Sequence, residues 1–114
     1  MKTVLRSAFI ITFLIAVPSF QLIKTTLTVT VRDELGNIVE GAKVQLFENE
    51  EDYTAEKNVA AEGVTDKKGL LKLKDLKAIE YYLIVRKDDK DNSGGGEKTK
   101  LEEKKINKVT VIIQ

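Results

Sequence analysis

The side chains that could do chemistry in this chain are carboxylates, amides and tyrosines, because the sequence contains neither histidine nor cysteine. Without these two residue types the chain lacks the commonest general base, a thiol nucleophile and the thiolate ligands of zinc. Carboxylate and amide groups can still hold a ligand by hydrogen bonds, and a tyrosine ring can stack on one. Five residues are the candidate ligand-binding set: Tyr53, Asp88, Asp89, Asp91 and Asn92.

The run that begins at Asp89 opens like a calcium-binding loop. Asp89, Asp91 and Ser93 alternate as oxygen donors, and Gly94 follows them, as such a loop requires. The twelfth position is Lys100, where the loop needs a glutamate with two oxygen ligands. We therefore predict a solvated loop without a metal, and no cofactor of any other kind.

Carboxylates also occur in acidic runs such as residues 50–52, which are typical of a solvated surface. Acid–base catalysis by two carboxylates needs a cleft that separates their pKa values, and nothing in these runs predicts one. We predict no catalytic residue and no enzyme activity. An alternative use of the polar residues is a carbohydrate site, in which Tyr53, Tyr81 and Tyr82 would form a stacking platform.

The first 21 residues have the layout of a secretory signal peptide. Lys2 and Arg6 precede a ten-residue, mostly apolar run from Ala8 to Val17, and Pro18 ends it. The alternative is an uncleaved N-terminal membrane anchor. We predict export to the periplasm, outer-membrane surface or exterior, with no stable membrane span after cleavage. The formal net charge of +1 predicts no nucleic-acid partner.

Residues 22–114 are predicted to form one all-β domain. In the stretch Thr26–Phe47, Leu27, Val29 and Val31 alternate with polar residues, as in a strand with one buried face. Lys43–Phe47 repeats the alternation, and turn residues that include Gly36 and Gly41 separate the two strands. About 93 residues suit a sandwich of seven short strands.

Further along the chain, the pattern predicts strands over 70–74, 79–86 and 106–114, and a turn over 66–69. Residues 48–62 are predicted to cross between sheets, although Asn49 could cap a helical turn. Residues 87–105 are predicted to form a long surface loop. We expect recognition to lie on these two excursions, and the segment 89–102 to be dispensable for folding.

Three pieces of sequence together resemble the carboxypeptidase regulatory-like domains. The pieces are Val31-x-Asp33-x-x-Gly36-Asn37-x-Val39-x-Gly41-Ala42-x-Val44-x-Leu46, Thr65-Asp66-x-x-Gly69-x-x-x-Leu73-x-x-Leu76, and the following strand around Tyr82 and Ile84. These domains belong to the transthyretin-like, or prealbumin-like, β-sandwich group, which is related to collagen-adhesin B-type repeats. The resemblance covers roughly Thr26 to Ile113. The chain departs from the family at Ile38 and Glu40, where proline is frequent.

The resemblance implies a seven-stranded, Greek-key, antiparallel β-sandwich. It also implies a non-catalytic accessory role, because the family occurs as modules on secreted enzymes, adhesins and outer-membrane receptors. The sequence therefore predicts an exported, non-enzymatic binding module of the bacterial cell envelope, with an envelope protein or a glycan as partner. The alternative is a carbohydrate-binding module.

Overall fold

A computed structural model describes residues 23–114, which form eight strands and one short helix. The elements are β1 Thr26–Asp33, β2 Lys43–Phe47, α1 Glu50–Ala55, β3 Ala61–Val64, β4 Leu70–Leu73, β5 Glu80–Lys87, β6 Lys90–Asp91, β7 Lys98–Lys100 and β8 Ile106–Ile113. The signal peptide predicted for residues 1–21 lies outside these residues. Within residues 23–114, no helix has both the length and the apolar character needed to cross a bilayer.

The strands form two sheets, which confirms the all-β prediction. One sheet has the order β4-β1-β8, and the other has the order β3-β2-β5-β6, with β7 also paired to β5. The inward side chains of both sheets pack into one core. As the alternation predicted, Leu27, Val29 and Val31 of β1 are fully buried there. Val44 and Leu46 of β2 meet them from the other sheet.

Strand β8 departs from the expected antiparallel arrangement, because it runs parallel to β1. The register aligns Thr26 with Ile106 and Asp33 with Ile113. Alternation in a sequence shows which residues face the core but carries no information on strand direction. The apolar strand β8 is nevertheless paired along its whole length, which removes one of its two edges from exposure.

The predicted turns are confirmed. Gly36 and Gly41 have φ values of 90° and 78°, which favour glycine. The Asp33 carboxylate closes the first turn by accepting hydrogen bonds from the backbone N–H groups of Leu35 and Asn37, at 3.0 and 2.9 Å. Asp66 closes the turn over 66–69 in the same way. These bonds satisfy donors that the strand ladders leave free.

The prediction that residues 48–62 cross between the sheets is wrong, because the strands on either side of this segment, β2 and β3, pair in the same sheet. Asn49 caps α1, because its side-chain oxygen accepts a 2.8 Å hydrogen bond from the Asp52 N–H. Three acidic residues in the first helical turn also favour the helix N-terminus. The chain then forms β3, which pairs with β2. This strand escaped prediction because its four residues include Gly63 and show little apolar alternation.

The prediction of a long surface loop over 87–105 is also wrong in large part. The segment supplies β6 and β7, which both pair with β5. Leu101 is only 2% exposed and belongs to the core. Asn92 is 4% exposed and bonds to the backbone of β5. The segment is therefore part of the fold. Its strands are held by backbone hydrogen bonds, which do not require an apolar sequence pattern, and this is why the sequence predicted a loop.

Candidate functional site

The candidate site lies on the outer face of the five-stranded sheet. Alternation along β5 directs Tyr81, Leu83 and Val85 into the core, so the residues between them face outward. Tyr82 is the first of these outward residues, and it lies opposite Phe47 of β2. Phe47 is completely buried although it is not part of the core between the sheets. Something must therefore cover this outer face.

Helix α1 provides the cover through Tyr53. The rings of Phe47 and Tyr53 meet edge to face, with their centroids 6.2 Å apart. The rings of Tyr53 and Tyr82 lie 5.4 Å apart and are tilted by 35°. The Lys98 ammonium lies 5.8 Å from the centroid of the Tyr82 ring, within cation–π range. Tyr53 and Tyr82 are only half-buried, so part of this aromatic cluster remains accessible.

An ion pair joins the end of α1 to the sheet beside the aromatic cluster. The Arg86 guanidinium donates two hydrogen bonds to the Glu56 carboxylate, at 2.7 and 2.8 Å. This hydrogen bonding lowers the pKa of Glu56 and raises the pKa of Arg86. Both side chains are about half exposed, so the pair orients the helix more than it stabilises the fold.

Next to this ion pair is a depression of about 230 Å³ in the surface. Its lining consists of Tyr53, Thr54, Glu56, Ile84, Arg86, Asp91 and Asn92. Three of the five residues predicted from the sequence therefore converge here. Sequence reasoning missed Glu56 and Arg86. The alternation of β5 places Arg86 on the outward face, but no pattern linked Glu56 to it across 30 residues.

Asp91 supplies an ionised carboxylate to the depression. The Ser93 hydroxyl donates a 2.6 Å hydrogen bond to its Oδ1, and the Ser93 N–H donates another at 3.0 Å. These two bonds, that of the hydroxyl first, lower the pKa of Asp91. Asp91 also lies opposite Arg86 in the β5–β6 pairing. The carboxylate is therefore a hydrogen-bond acceptor at neutral pH.

Tyr53 presents a neutral phenol. Partial burial raises its pKa, and the nearby carboxylates of Glu97, Asp91 and Glu56 raise it further. A phenol that stays protonated can donate a hydrogen bond as well as offer its ring face. Among the five predicted residues, Tyr53 can therefore contact a ligand in two ways, through its ring and through its hydroxyl group.

Asn92 contributes to the fold beneath the depression. Its side-chain oxygen accepts a 3.0 Å hydrogen bond from the Val85 N–H. Its amide nitrogen donates to the backbone oxygens of Leu83 and Gly96, at 3.0 and 3.3 Å. The whole amide is committed to backbone groups, so we give Asn92 a structural role in shaping the site.

The structure places the other two predicted residues elsewhere. Asp88 and Asp89 form the two-residue turn between β5 and β6, with Asp88 at a φ of 56°. They line a separate depression of about 280 Å³ with residues that include Asp33 and Glu40. The five predicted residues therefore lie in two places, because Asp88 and Asp89 line a different depression from Tyr53, Asp91 and Asn92.

The third tyrosine of the proposed stacking platform does not reach the surface. Tyr81 is 2% exposed, and its hydroxyl accepts a 3.0 Å hydrogen bond from the Lys77 N–H. Only Tyr53 and Tyr82 come together on the outer face. Within residues 23–114, no group of three or more acidic residues is arranged to hold a metal ion.

No model of a protein family matches the chain, and no curated protein matches it.

The arrangement is suited to holding a ligand by contact and hydrogen bonding. The exposed parts of the Tyr53 and Tyr82 side chains can contact a sugar ring or an apolar side chain. Around them lie the acceptors Asp91 and Glu56, the donor Arg86 and the Tyr53 hydroxyl. A few polar groups beside an apolar surface are what a small binding site requires.

Proposed function

We propose that this chain is an exported, non-enzymatic β-sandwich module of the bacterial cell envelope that binds an envelope protein or glycan. The observation that carries the proposal is the meeting of Tyr53 and Tyr82 beside Arg86, Glu56 and Asp91. These groups come from a helix, a central strand and an edge strand, so the fold holds them in place.

Export and envelope location are supported by the N-terminal sequence and by the resemblance to the carboxypeptidase regulatory-like domains. Strands β6 and β7 both extend the same edge of β5. When they are counted as one edge element, residues 23–114 form seven strands, as the proposed transthyretin-like Greek-key sandwich requires. Within this proposal, the parallel β1–β8 pair is a variation at one sheet edge.

Binding without catalysis is supported by the electrostatics of the site. Acid–base chemistry with two carboxylates needs one of them protonated and one ionised near neutral pH. Here the pKa values of both Glu56 and Asp91 are lowered, so both groups are ionised. Two ionised carboxylates can accept hydrogen bonds from a ligand, but neither can supply a proton.

The second candidate function is a carbohydrate-binding module. The tilted Tyr53–Tyr82 pair favours it, because half-buried tyrosine rings offer apolar faces and hydroxyl groups side by side. Asp91 would then accept hydrogen bonds from sugar hydroxyl groups. This candidate differs from the first only in restricting the partner to a glycan.

Retention on immobilised envelope extract, and on its protein-free glycan fraction, tests both candidates. The variants are Tyr53→Ala and Asp91→Asn, and the matched control is Glu51→Ala on the exposed side of the same helix. Asparagine keeps the oxygen that accepts from Ser93, so the local turn is preserved. We expect both site variants to lose retention by about tenfold or more, and the control to behave as wild type.

The proposal fails if both site variants are retained as well as wild type while their circular dichroism spectra are unchanged. Retention on whole extract without retention on the glycan fraction rejects the carbohydrate module and keeps a protein partner. Retention on both matrices, lost in both variants, favours the carbohydrate module.

A further inference from the structure

The outer face of the three-stranded sheet carries a second set of outward side chains, on the opposite side of the sandwich from Tyr53. The registers of β1 with β4 and with β8 place these residues in rows across the sheet. The rows are Lys72–Thr28–Lys108, Leu70–Thr30–Thr110 and Ile38–Arg32–Ile112, and Ile106 lies at the start of β8. We call these ten residues the basic face.

Every charged residue of the basic face is a cation. Lys72 and Lys108 flank Thr28, and Arg32 lies two rows away on the same strand as Thr28. Neither lysine forms an ion pair with another residue in the described part of the chain. The face therefore keeps a positive potential of its own, although the whole chain is nearly neutral.

The three cations are spread over the face. Two strand spacings separate the Cα atoms of Lys72 and Lys108 by about 10 Å. Four residues along β1 place Arg32 about 13 Å from their row. These separations are similar to the Debye length at 0.1 M salt, about 10 Å, so a single small anion interacts mainly with one of the three charges. An extended anionic surface can interact with all three.

Apolar side chains share the face with these cations. Ile38, Ile106 and Ile112 are 46%, 52% and 45% exposed. The threonines between them offer short hydroxyl groups that keep the surface even. A face that combines lysines with exposed isoleucines suits a membrane interface, where cations meet phosphates and apolar groups enter the acyl boundary.

None of the acidic residues close to the cations in the sequence forms an ion pair with Lys72, Lys108 or Arg32. Asp75 pairs with Lys24, and Glu102 pairs with Lys105. Asp33 and Asp66 are turn residues, and each uses its carboxylate to accept backbone N–H groups within its own turn. Arg32 donates one hydrogen bond, at 2.8 Å, to the Gly36 carbonyl, and its other side-chain N–H groups have no partner within residues 23–114.

We propose that the basic face docks on an anionic lipid surface. A soluble polyanion would pair with the cations but would leave the isoleucines in water, whereas a membrane accommodates both. Docking through this face directs the Tyr53 site away from the lipid, because the two faces lie on opposite sides of the sandwich. The module would then hold its envelope partner close to a membrane.

Co-sedimentation with vesicles tests this inference. The probes are vesicles of neutral phosphatidylcholine alone and vesicles that also contain anionic phosphatidylglycerol. The full chain is used for every variant, so the apolar segment 8–17 contributes equally throughout. The test variant is Lys72→Gln with Lys108→Gln. The matched control, Lys43→Gln with Lys100→Gln, removes the same charge from two strands of the other sheet.

We expect wild type to bind anionic vesicles more strongly than neutral ones, and 1 M salt to remove the difference. The Lys72 and Lys108 variant should lose about 30-fold in partition to anionic vesicles, at about fivefold for each lysine near the surface. The control should bind like wild type. Ile112→Thr keeps a β-branched residue and should weaken binding several-fold without altering the salt dependence.

Three outcomes overturn the inference. Equal binding of wild type to anionic and neutral vesicles removes the role of the cations. Equal loss in the test and control variants shows that net charge, and not this face, is responsible. Lysine-dependent binding to a soluble anionic polysaccharide or to a second copy of the chain, without preference for anionic vesicles, assigns the face to another class of partner.

Discussion

Replacing Asn92 with alanine is expected to destabilise the fold strongly, although the residue lies in the most polar stretch of the chain. The substitution removes the acceptor for the Val85 N–H and the donor to the Leu83 carbonyl. Both of these residues are completely buried in β5. Their backbone groups would be left without the partner that the native structure provides.

The cost follows from the two groups left behind. Each buried backbone group without a partner costs about 1–3 kcal/mol. The loss of Asn92 should therefore lower the free energy of unfolding by about 2–6 kcal/mol. Small domains are stable by only about 5–15 kcal/mol, so this is a large fraction of the total.

Urea unfolding monitored by circular dichroism measures this cost. With a slope of about 2 kcal/mol/M, the midpoint should fall by about 1–3 M. Lys90→Ala is the matched control, because Lys90 is an exposed residue of β6 whose side chain forms no hydrogen bond or ion pair within residues 23–114, so the change should alter stability by less than about 0.5 kcal/mol. A change of similar small size for Asn92→Ala would refute the structural role of Asn92 and of the segment around it.

Four further predictions concern a turn glycine, a glycine next to the core, stability in acid and metal binding. Gly41→Val should destabilise by about 1–3 kcal/mol because the φ of 78° resists a β-branched residue; an unchanged urea midpoint would contradict it. Gly63→Ala should also lower the midpoint, since the new Cβ would lie 2.7 Å from Cδ1 of Leu71, and a smaller residue at 71 should restore stability. The pKa of Asp66 is lowered, first by the hydrogen bond from the Leu70 N–H, so the stability that this carboxylate contributes is present above about pH 4 and is lost as the pH falls through the folded-state pKa. Asp66→Asn should therefore reduce the loss of unfolding free energy at acid pH, and an unchanged loss would contradict this. Millimolar calcium should leave the melting temperature unchanged, and a rise of several degrees would reveal a calcium site.

The sequence was sufficient to predict the parts of the fold that depend on alternation and on turn residues. Leu27, Val29 and Val31 reach the core because a strand directs every second side chain to one face. Gly36 and Gly41 mark turn positions with a positive φ, because few other residues tolerate that backbone conformation. These are local properties, and each can be recognised within a few residues.

The features that escaped prediction depend on partners distant in the chain. Strand β7 is held by backbone bonds to β5, and its residues alternate between lysine and threonine without an apolar pattern. Strand β8 is parallel to β1 because the chain returns to the same end of the sheet before β8 begins. The alternation of side chains contains no information on that path. At the candidate site, Tyr53 and Asp91 were recognised by residue type, whereas the Glu56–Arg86 pair joins residues 30 apart.

Mapping the binding surface by NMR tests the central claim most directly. Amide spectra of the isotope-labelled chain would be recorded with and without a soluble, lipid-free envelope extract. We expect the largest shifts at Tyr53, Tyr82, Arg86 and Asp91. Binding that shifts only the turn at Asp88 and Asp89, or only the three-stranded sheet, would contradict the assignment of the binding site to the outer face of the five-stranded sheet.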